Sequence, residues 1–471
     1  MGHLAHRGLC APERLEQPAN PACLLSRHRG GHPLSSSHVG RRHVSSLHPM
    51  TNAPLELLGT PGGVEVHLQQ TARFKAVHLH WLLEAPLDTG RTARAILPDL
   101  LTRGTARFPD LAALSARCEE LYNTDLLAGV TAHGTRQLLR FGVETIADEF
   151  SFDGPLYVRA LDLLAEVLQK PPLVKGAFRP DHLDQERVNL ARSIEALVDD
   201  KPLYAYRRLV EVMHEGTPFA LHSWGEAEEA RALTEGQVHE AWDFVRTEAP
   251  ARLMIVGDIT PEQALETAEQ LSGVRARAVP ASPTAAPGSP ARAARVVEES
   301  QPLAQSRLAM GFRLPPTRLP GAACQLMSLV LGGGSHSRLF KRVREAESLA
   351  YGCGSSAMLD SATLIVQAGM DDAHVERVRE LVLEELQRLG TEGVEEEEFD
   401  LSVRAQRRRL SVLRDSAGGS LGFRLAGLMS GRATTPEQAL DQLEAVKPAE
   451  IAAVAAECTL DSTFVLHGNA E

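Results

Sequence analysis

From Leu55 onward the apolar positions switch repeatedly between the period of two that marks a half-buried strand and the period of three to four that marks an amphipathic helix. Val64–Leu68 and Ala76–Leu83 read as strands, Thr92–Leu101 and Leu111–Leu121 as helices, and Leu126–Val130 and Gln137–Val143 as strands again. Tyr157–Leu168, with apolar residues at Leu161, Leu163, Leu164 and Val167, predicts a helix. A longer helix follows over Asp184–Leu197, closed near Asp199-Asp-Lys-Pro202, then a helix at Thr234–Val245 and a strand at Arg252–Val256 that exits through Gly257-Asp258. The stretch Ala276 to Arg295 is dominated by Ala, Pro, Arg and Ser without apolar period, and reads as a linker.

Beyond it the pattern runs again. Arg307–Phe312, Ala362–Ala368 and Ser462–Val465 predict strands; Gly321–Leu331, Ser337–Glu347, Val375–Leu389, Glu395–Leu413 and Pro448–Cys458 predict helices. Three landmarks recur in order: Glu120-Leu-Tyr122 with Ser348-Leu-Ala-Tyr351, the long helix at Asp184–Leu197 with Glu395–Leu413, and Val256-Gly-Asp258 with Leu466-His-Gly-Asn469. Their offsets of about 210–230 residues indicate duplication of one unit. The expected fold class is α+β, with two homologous domains, each a mostly antiparallel sheet packed with helices. The boundaries are an N-terminal extension over 1–49, a first domain over 55–273, a linker over 274–300 and a second domain over 301–471.

Composition narrows the function. The chain has 471 residues and 43% hydrophobic content, enough for two domains, and no apolar run approaches the roughly 18 residues a membrane span needs. A net charge of -12 argues against tracking nucleic-acid phosphates. Cys10, Cys23, Cys118, Cys324, Cys353 and Cys458 lie far apart with no C-x-x-C pair, a pattern that suits reduced thiols and a cytoplasmic location. Residues 1–49 hold seven of the eighteen histidines, six arginines and two acids. They lack the apolar core of a secretory signal, their prolines and glycines spoil a transit-peptide helix, and a true start at Met50 is the favoured reading; metal binding by the histidines is the minor alternative.

Several segments carry a family resemblance. They are Arg103-Gly-Thr105 after the first helix, Phe178-Arg-Pro-Asp-His-Leu-Asp-Gln-Glu-Arg187 and Asp199-Asp-Lys-Pro202 around the long one, and Leu331-Gly-Gly-Gly-Ser-His-Ser-Arg-Leu-Phe340 running into Val343-Arg344 and Leu349-Ala-Tyr351. Over about residues 55–471 the chain resembles the M16 (insulinase, mitochondrial-processing-peptidase-like, pitrilysin clan) family. The resemblance implies a duplicated LuxS-like metallohydrolase-type α+β fold. In active members a His-x-x-Glu-His helix and a Glu on the long helix hold zinc and activate its water. Here those positions read Ala95, Pro98, Asp99 and Ser193, the last falling seven residues after Glu186. All four are vacant, so zinc is expected only in a partner subunit and no catalytic residue is assigned to this chain. The family's Arg and Tyr that reach substrate from the second domain are matched by Arg344 and Tyr351, at the same spacing. As a charge-assisted anchor and a phenol they suit peptide positioning or oxyanion stabilisation. The structural alternative pairs Arg344 with Glu347 and places Tyr351 partly in the core.

Other chemistry-bearing residues read as structural. His78 and His80 share a strand face without a third ligand, and His239-Glu-Ala-Trp-Asp243 imitates a zinc motif on an amphipathic helix. Gly332-Gly-Gly334 lacks the Lys-Ser/Thr of a phosphate loop, and Glu395–Glu398 suits a helix N-terminus. Three functional readings follow. The first is a non-catalytic subunit that supplies peptide binding to a zinc-bearing M16 homologue, as a heterodimer, or that pairs with itself; its ligand is a peptide or unfolded polypeptide. The second is a non-proteolytic scaffold or binding protein, for which the family offers a link to translation-factor modification. The third is a self-sufficient peptidase with an unconventional metal site.

Overall fold

The structure, a computed structural model, describes residues 54–272, 293–315, 321–432 and 435–468. The extension over 1–49 and residues 274–292 of the expected linker lie outside the described residues. The first half builds a six-stranded sheet from β1 (Glu56–Gly59), β2 (Glu65–Gln70), β3 (Ala76–Pro86), β4 (Asp125–His133), β5 (Arg136–Ile146) and β8 (Ala251–Gly257), in the order β1-β2-β8-β3-β5-β4. A two-residue hairpin, β6 (Leu173–Val174) and β7 (Ala177–Phe178), stands apart. The second half has β9 (Arg295–Gln301), β10 (Ser306–Arg313), β11 (Ala350–Met358), β12 (Thr363–Met370) and β13 (Thr459–Gly468), ordered β11-β12-β10-β13-β9. The orders coincide when β9, β13, β10, β12 and β11 are laid on β2, β8, β3, β5 and β4. In each sheet one pair is parallel (β2 with β8, β9 with β13) and the others are antiparallel. The fold is therefore α+β with two mixed sheets of matching topology.

Alternation decides what each sheet face meets. On β3, Val77, Leu79, Trp81 and Leu83 point into the first core, with α4 (Leu156–Gln169), α8 (Glu235–Thr247) and α9 (Pro261–Leu271) contributing to the same cluster. The Asp148 carboxylate starts α4 by accepting from the Leu156 and Tyr157 N–H groups at 2.7 and 2.8 Å. In the second half α10 (Gly321–Gly332), α11 (Val375–Glu392) and α15 (Pro448–Glu457) cover the equivalent face.

The opposite faces are covered reciprocally. Helix α6 (Lys201–Met213) belongs to the first half, yet Ala205, Leu209 and Met213 pack on Ala309, Ile365, Phe464 and Leu466 of the second sheet. Helix α13 (Ala417–Ser430) lays Ala417 and Leu421 on Leu82, Met254 and Val256 of the first. Ion pairs cross the same junction: Arg208 to Glu299 at 2.8 Å, Arg295 to Glu215 at 2.7 Å, and Arg73 to Asp415.

Three local expectations change. The helix expected over Thr92–Leu101 is two short ones, α1 (Arg91–Ala95) and α2 (Leu97–Leu101), because Pro98 supplies no N–H for the turn that would join them. The segment Ser337–Glu347 is only partly helical and widens into a π-helical turn over Phe340–Ala346. The end of the 274–300 linker is strand: β9 pairs in parallel with β13, from Ser462↔Arg295 to Gly468↔Gln301. Its Arg-Val-Val-Glu-Glu-Ser-Gln sequence is too polar to announce a strand, because β9 is an edge with one side in solvent.

Candidate functional site

The four positions that the family resemblance assigns to metal and base lie on α1, α2 and α5 (Pro180–Glu195), and α2 packs against α5. Ala95 and Pro98 are buried and offer no donor atom. Ser193 is an exposed hydroxyl near the end of α5. Asp99 alone is a ligand type; water reaches it, yet desolvation by surrounding protein and the Glu186 carboxylate push its pKa up to about 6. Glu186, only 5% exposed, is already satisfied: the Arg103 guanidinium forms an ion pair with one oxygen, and Asn189 Nδ2 donates to the other at 3.1 Å. This donor set does not fit a zinc ion, and the local anionic charge is met by a guanidinium instead. Among the described residues no three His, Cys, Asp or Glu side chains are grouped as a ligand set.

The Gly-Thr after this helix has a packing reason. A Cβ at Gly104 would lie 2.7 Å from the Phe108 carbonyl oxygen. Thr105 Oγ1 accepts from Phe108 N–H at 2.9 Å, and its hydroxyl pairs with Glu166 Oε2 at 3.2 Å.

Arg344 and Tyr351 flank the entry to β11. Arg344 is exposed on the π-helical turn, with its guanidinium 4.9 Å from the Phe340 ring centre. Glu347, the acid three residues on, is taken by Arg342 at 3.0 Å and Arg377 at 3.3 Å, and no ion pair to Arg344 is found among the described residues. Tyr351 is 58% exposed and is not a core residue. Both parts of the structural alternative therefore give way. The chain reaches Tyr351 through Ser348, at a φ of 54°, and Tyr351 is the extra residue of a bulge, since Ala350 pairs with Met370 and Gly352 with Gly369. A bulge re-aims its side chain away from the regular pleat. The Tyr351 hydroxyl donates to Asp371 Oδ1 at 3.0 Å, which holds the phenol pKa above its ordinary value.

Strand β11 is the edge of its sheet, paired on one side with β12 only. The glycine run Gly332-Gly-Gly334 serves packing: a Cβ at Gly332 would sit 2.5 Å from Ser355 N on β11. The other candidates are structural. His78 meets Glu144 at 2.9 Å across β3 and β5, while burial and Arg140 pull His80 down to about 3. His239 lies 3.5 Å from Asp243 and 3.9 Å from Glu235, edge-on to Phe178 and Trp242. Glu395 and Glu398 form a capping box at α12 (Glu396–Leu413), with Glu398 also paired to Arg338 at 2.8 Å. Sequence reasoning missed Asp371, Phe340 and the Arg103–Glu186 pair. Only Phe340, four residues before Arg344, carried a local signal.

Residues 233–406 match the family described as Peptidase M16 inactive domain. The chain is 29% identical to the Bacillus subtilis protein named "Probable inactive metalloprotease YmfF", over 88% of this chain and 98% of that one. It is 26% identical to the Mycobacterium bovis "Uncharacterized zinc protease Mb2805c", over 63% of this chain and 68% of that one. Among solved structures, a conserved protein from Enterococcus faecalis superposes with a TM-score of 0.79 at 26% identity, covering 89% of this chain and all (100%) of that one. A peptidase M16 inactive domain from Pseudomonas fluorescens shares the fold, with a TM-score of 0.72 at 19% identity, over 88% of this chain and 98% of that one.

Proposed function

We propose that this chain, similar to M16 peptidase homologues over residues 233–406 and to a probable inactive metalloprotease along most of its length, is a non-catalytic subunit that supplies peptide binding to a zinc-bearing M16 partner. The observation that carries the reading is the contrast between its two family sites. The metal positions hold Ala95, Pro98, Asp99 and Ser193, with Glu186 engaged by Arg103. Arg344 and Tyr351 are exposed, and among the described residues no acid pairs with Arg344, the neighbouring Glu347 going to Arg342 and Arg377.

In this reading a peptide lies along the open edge of β11 as an added strand, and Arg344 and Tyr351 fasten its backbone at the strand's start. The guanidinium gives charge-assisted donors to a carbonyl. The test is hydrolysis of fluorescein-labelled casein by the chain mixed with a zinc-motif homologue from the same cell. A hydrogen bond to a charged group is worth about 1.5–3 kcal/mol, so Arg344→Ala should lower kcat/KM of the pair about ten- to a hundredfold. A change within about threefold would refute the assignment, being under half the free energy such a contact carries.

A further inference from the structure

Resting on that peptide-binding reading, we infer that Asp371 is a positioning residue that turns Tyr351 into an acceptor for a peptide backbone N–H. A phenol has one proton to give and two lone pairs to offer. The proton of Tyr351 is committed to Asp371 Oδ1 at 3.0 Å. Asp371 is firmly placed: it follows the last residue of β12, and its carbonyl accepts from His374 N–H at 3.0 Å. The next residue, Asp372, is bound by Ser306 Oγ and His467 Nδ1, each at 2.7 Å. Donation to a carboxylate polarises the phenol O–H and makes its oxygen a stronger acceptor.

The first half shows a tyrosine phenol in the equivalent place already accepting a peptide N–H. Tyr122 precedes β4, the edge strand that corresponds to β11, and like Ser348 it lies in a positive-φ turn, at 58°. Its oxygen accepts the backbone N–H of Phe152 at 2.9 Å; Asp153 of the same loop is held below its ordinary range first by Arg159, whose guanidinium donates to it at 2.7 Å, with smaller contributions from Ser151 and Tyr122. In the first half a tyrosine phenol at the entry to the edge strand thus accepts a peptide N–H, with a carboxylate in the same loop. In the second half the carboxylate and phenol are present and the phenol is open to solvent. Arg344 can only donate. Tyr351 as acceptor and Arg344 as donor together match the N–H and C=O of an extended peptide, whatever its side chains.

The test uses the full chain, fluorescein-labelled β-casein as the unfolded probe, and fluorescence anisotropy. Asp371→Asn and Asp371→Ala should weaken binding about three- to tenfold, and Asp371→Glu should stay within about twofold of the parent. Tyr351→Phe should lose at least as much as Asp371→Ala, the double variant should lose no more than Tyr351→Phe, and Tyr122→Phe should bind normally. Ultraviolet difference titration against the Tyr351→Phe variant supplies a readout independent of peptide: the phenol ionisation should move down in Asp371→Asn. Tighter binding by Asp371→Ala would mean that the phenol serves as a donor, and would overturn the inference. Unchanged binding by Asp371→Ala beside a loss in Tyr351→Phe, or an unmoved phenol titration, would also overturn it while leaving the peptide-binding reading intact. Failure of the parent to bind β-casein would remove that reading and the inference with it, even with the phenol titrating as expected.

Discussion

Replacing Gly311 by alanine tests whether α6 truly belongs to the second sheet. Gly311 lies in β10, between Ile365 of β12 and Ser462 of β13. A Cβ built there would stand 2.1 Å from Met213 Sδ, 2.8 Å from its Cε and 3.2 Å from its Cγ. Met213 ends α6 and is 1% exposed, enclosed with Leu209, Ala309 and Phe464, so the thioether must press on these neighbours to make room. Overpacking of this kind costs about 1–3 kcal/mol. Met213→Ala alone leaves a void and should cost about 2–4 kcal/mol. In the double variant the new methyl takes part of the space the thioether leaves. The combined loss should then fall short of the sum by about 1–2 kcal/mol. Urea unfolding followed by circular dichroism reads all four proteins, with m unchanged between them. Additivity within about 0.5 kcal/mol would show that Met213 does not sit over Gly311, and the reciprocal helix exchange would fall with it.

Arg103→Ala strands the buried Glu186 carboxylate and should cost about 1–3 kcal/mol of stability, largely restored by adding Glu186→Gln; an unchanged urea midpoint would contradict the pairing. Asp99, with its pKa raised from 3.8 to about 6, binds a proton more readily in the folded state than in the unfolded one. Its contribution to stability is therefore fully present below pH 3.8 and is lost as pH rises towards 6. Asp99→Asn should raise the midpoint at pH 7.5 and flatten the slope between about pH 4 and 6; a lower midpoint at pH 7.5 would contradict the desolvation and Glu186 repulsion that raise the Asp99 pKa. Arg344→Ala should leave thermal stability within about 0.5 kcal/mol of the parent, as expected for an exposed side chain with no ion pair among the described residues, while reducing binding of β-casein.

Much of this molecule is legible along the chain because each half alternates strands and helices whose inward faces meet only their own half. The strands around His78, Leu139, Leu308 and Val366 and the helices around Leu164 and Leu381 follow directly from local period. Helix α6 does not. Asp199-Asp-Lys-Pro202 reads as the stop of α5, yet it is also the start of α6: Asp200 accepts from Leu203 N–H at 3.1 Å and Pro202 occupies the first turn. Ala205, Leu209 and Met213 form a clear stripe, but the sheet they cover begins about a hundred residues later, beyond any local window. Strand β9 was hidden by its polar edge face. At the site, the i, i+7 spacing of Arg344 and Tyr351 is visible in sequence, whereas Asp371 reaches Tyr351 only because β11 and β12 pair across their turn. The Arg103–Glu186 pair is half visible: Ala95 and Pro98 read in sequence as residues that cannot hold a metal, and only packing of α2 on α5 identifies Arg103 as the partner of Glu186.

The most direct test of the proposed role is zinc content and fluorescein-casein hydrolysis for the full chain alone and mixed with a zinc-motif homologue from the same cell. The account predicts no stoichiometric zinc and no hydrolysis by the chain alone, and a rise in the homologue's activity on mixing that Arg344→Ala lowers about ten- to a hundredfold. Stoichiometric zinc with hydrolysis by the chain alone would contradict it.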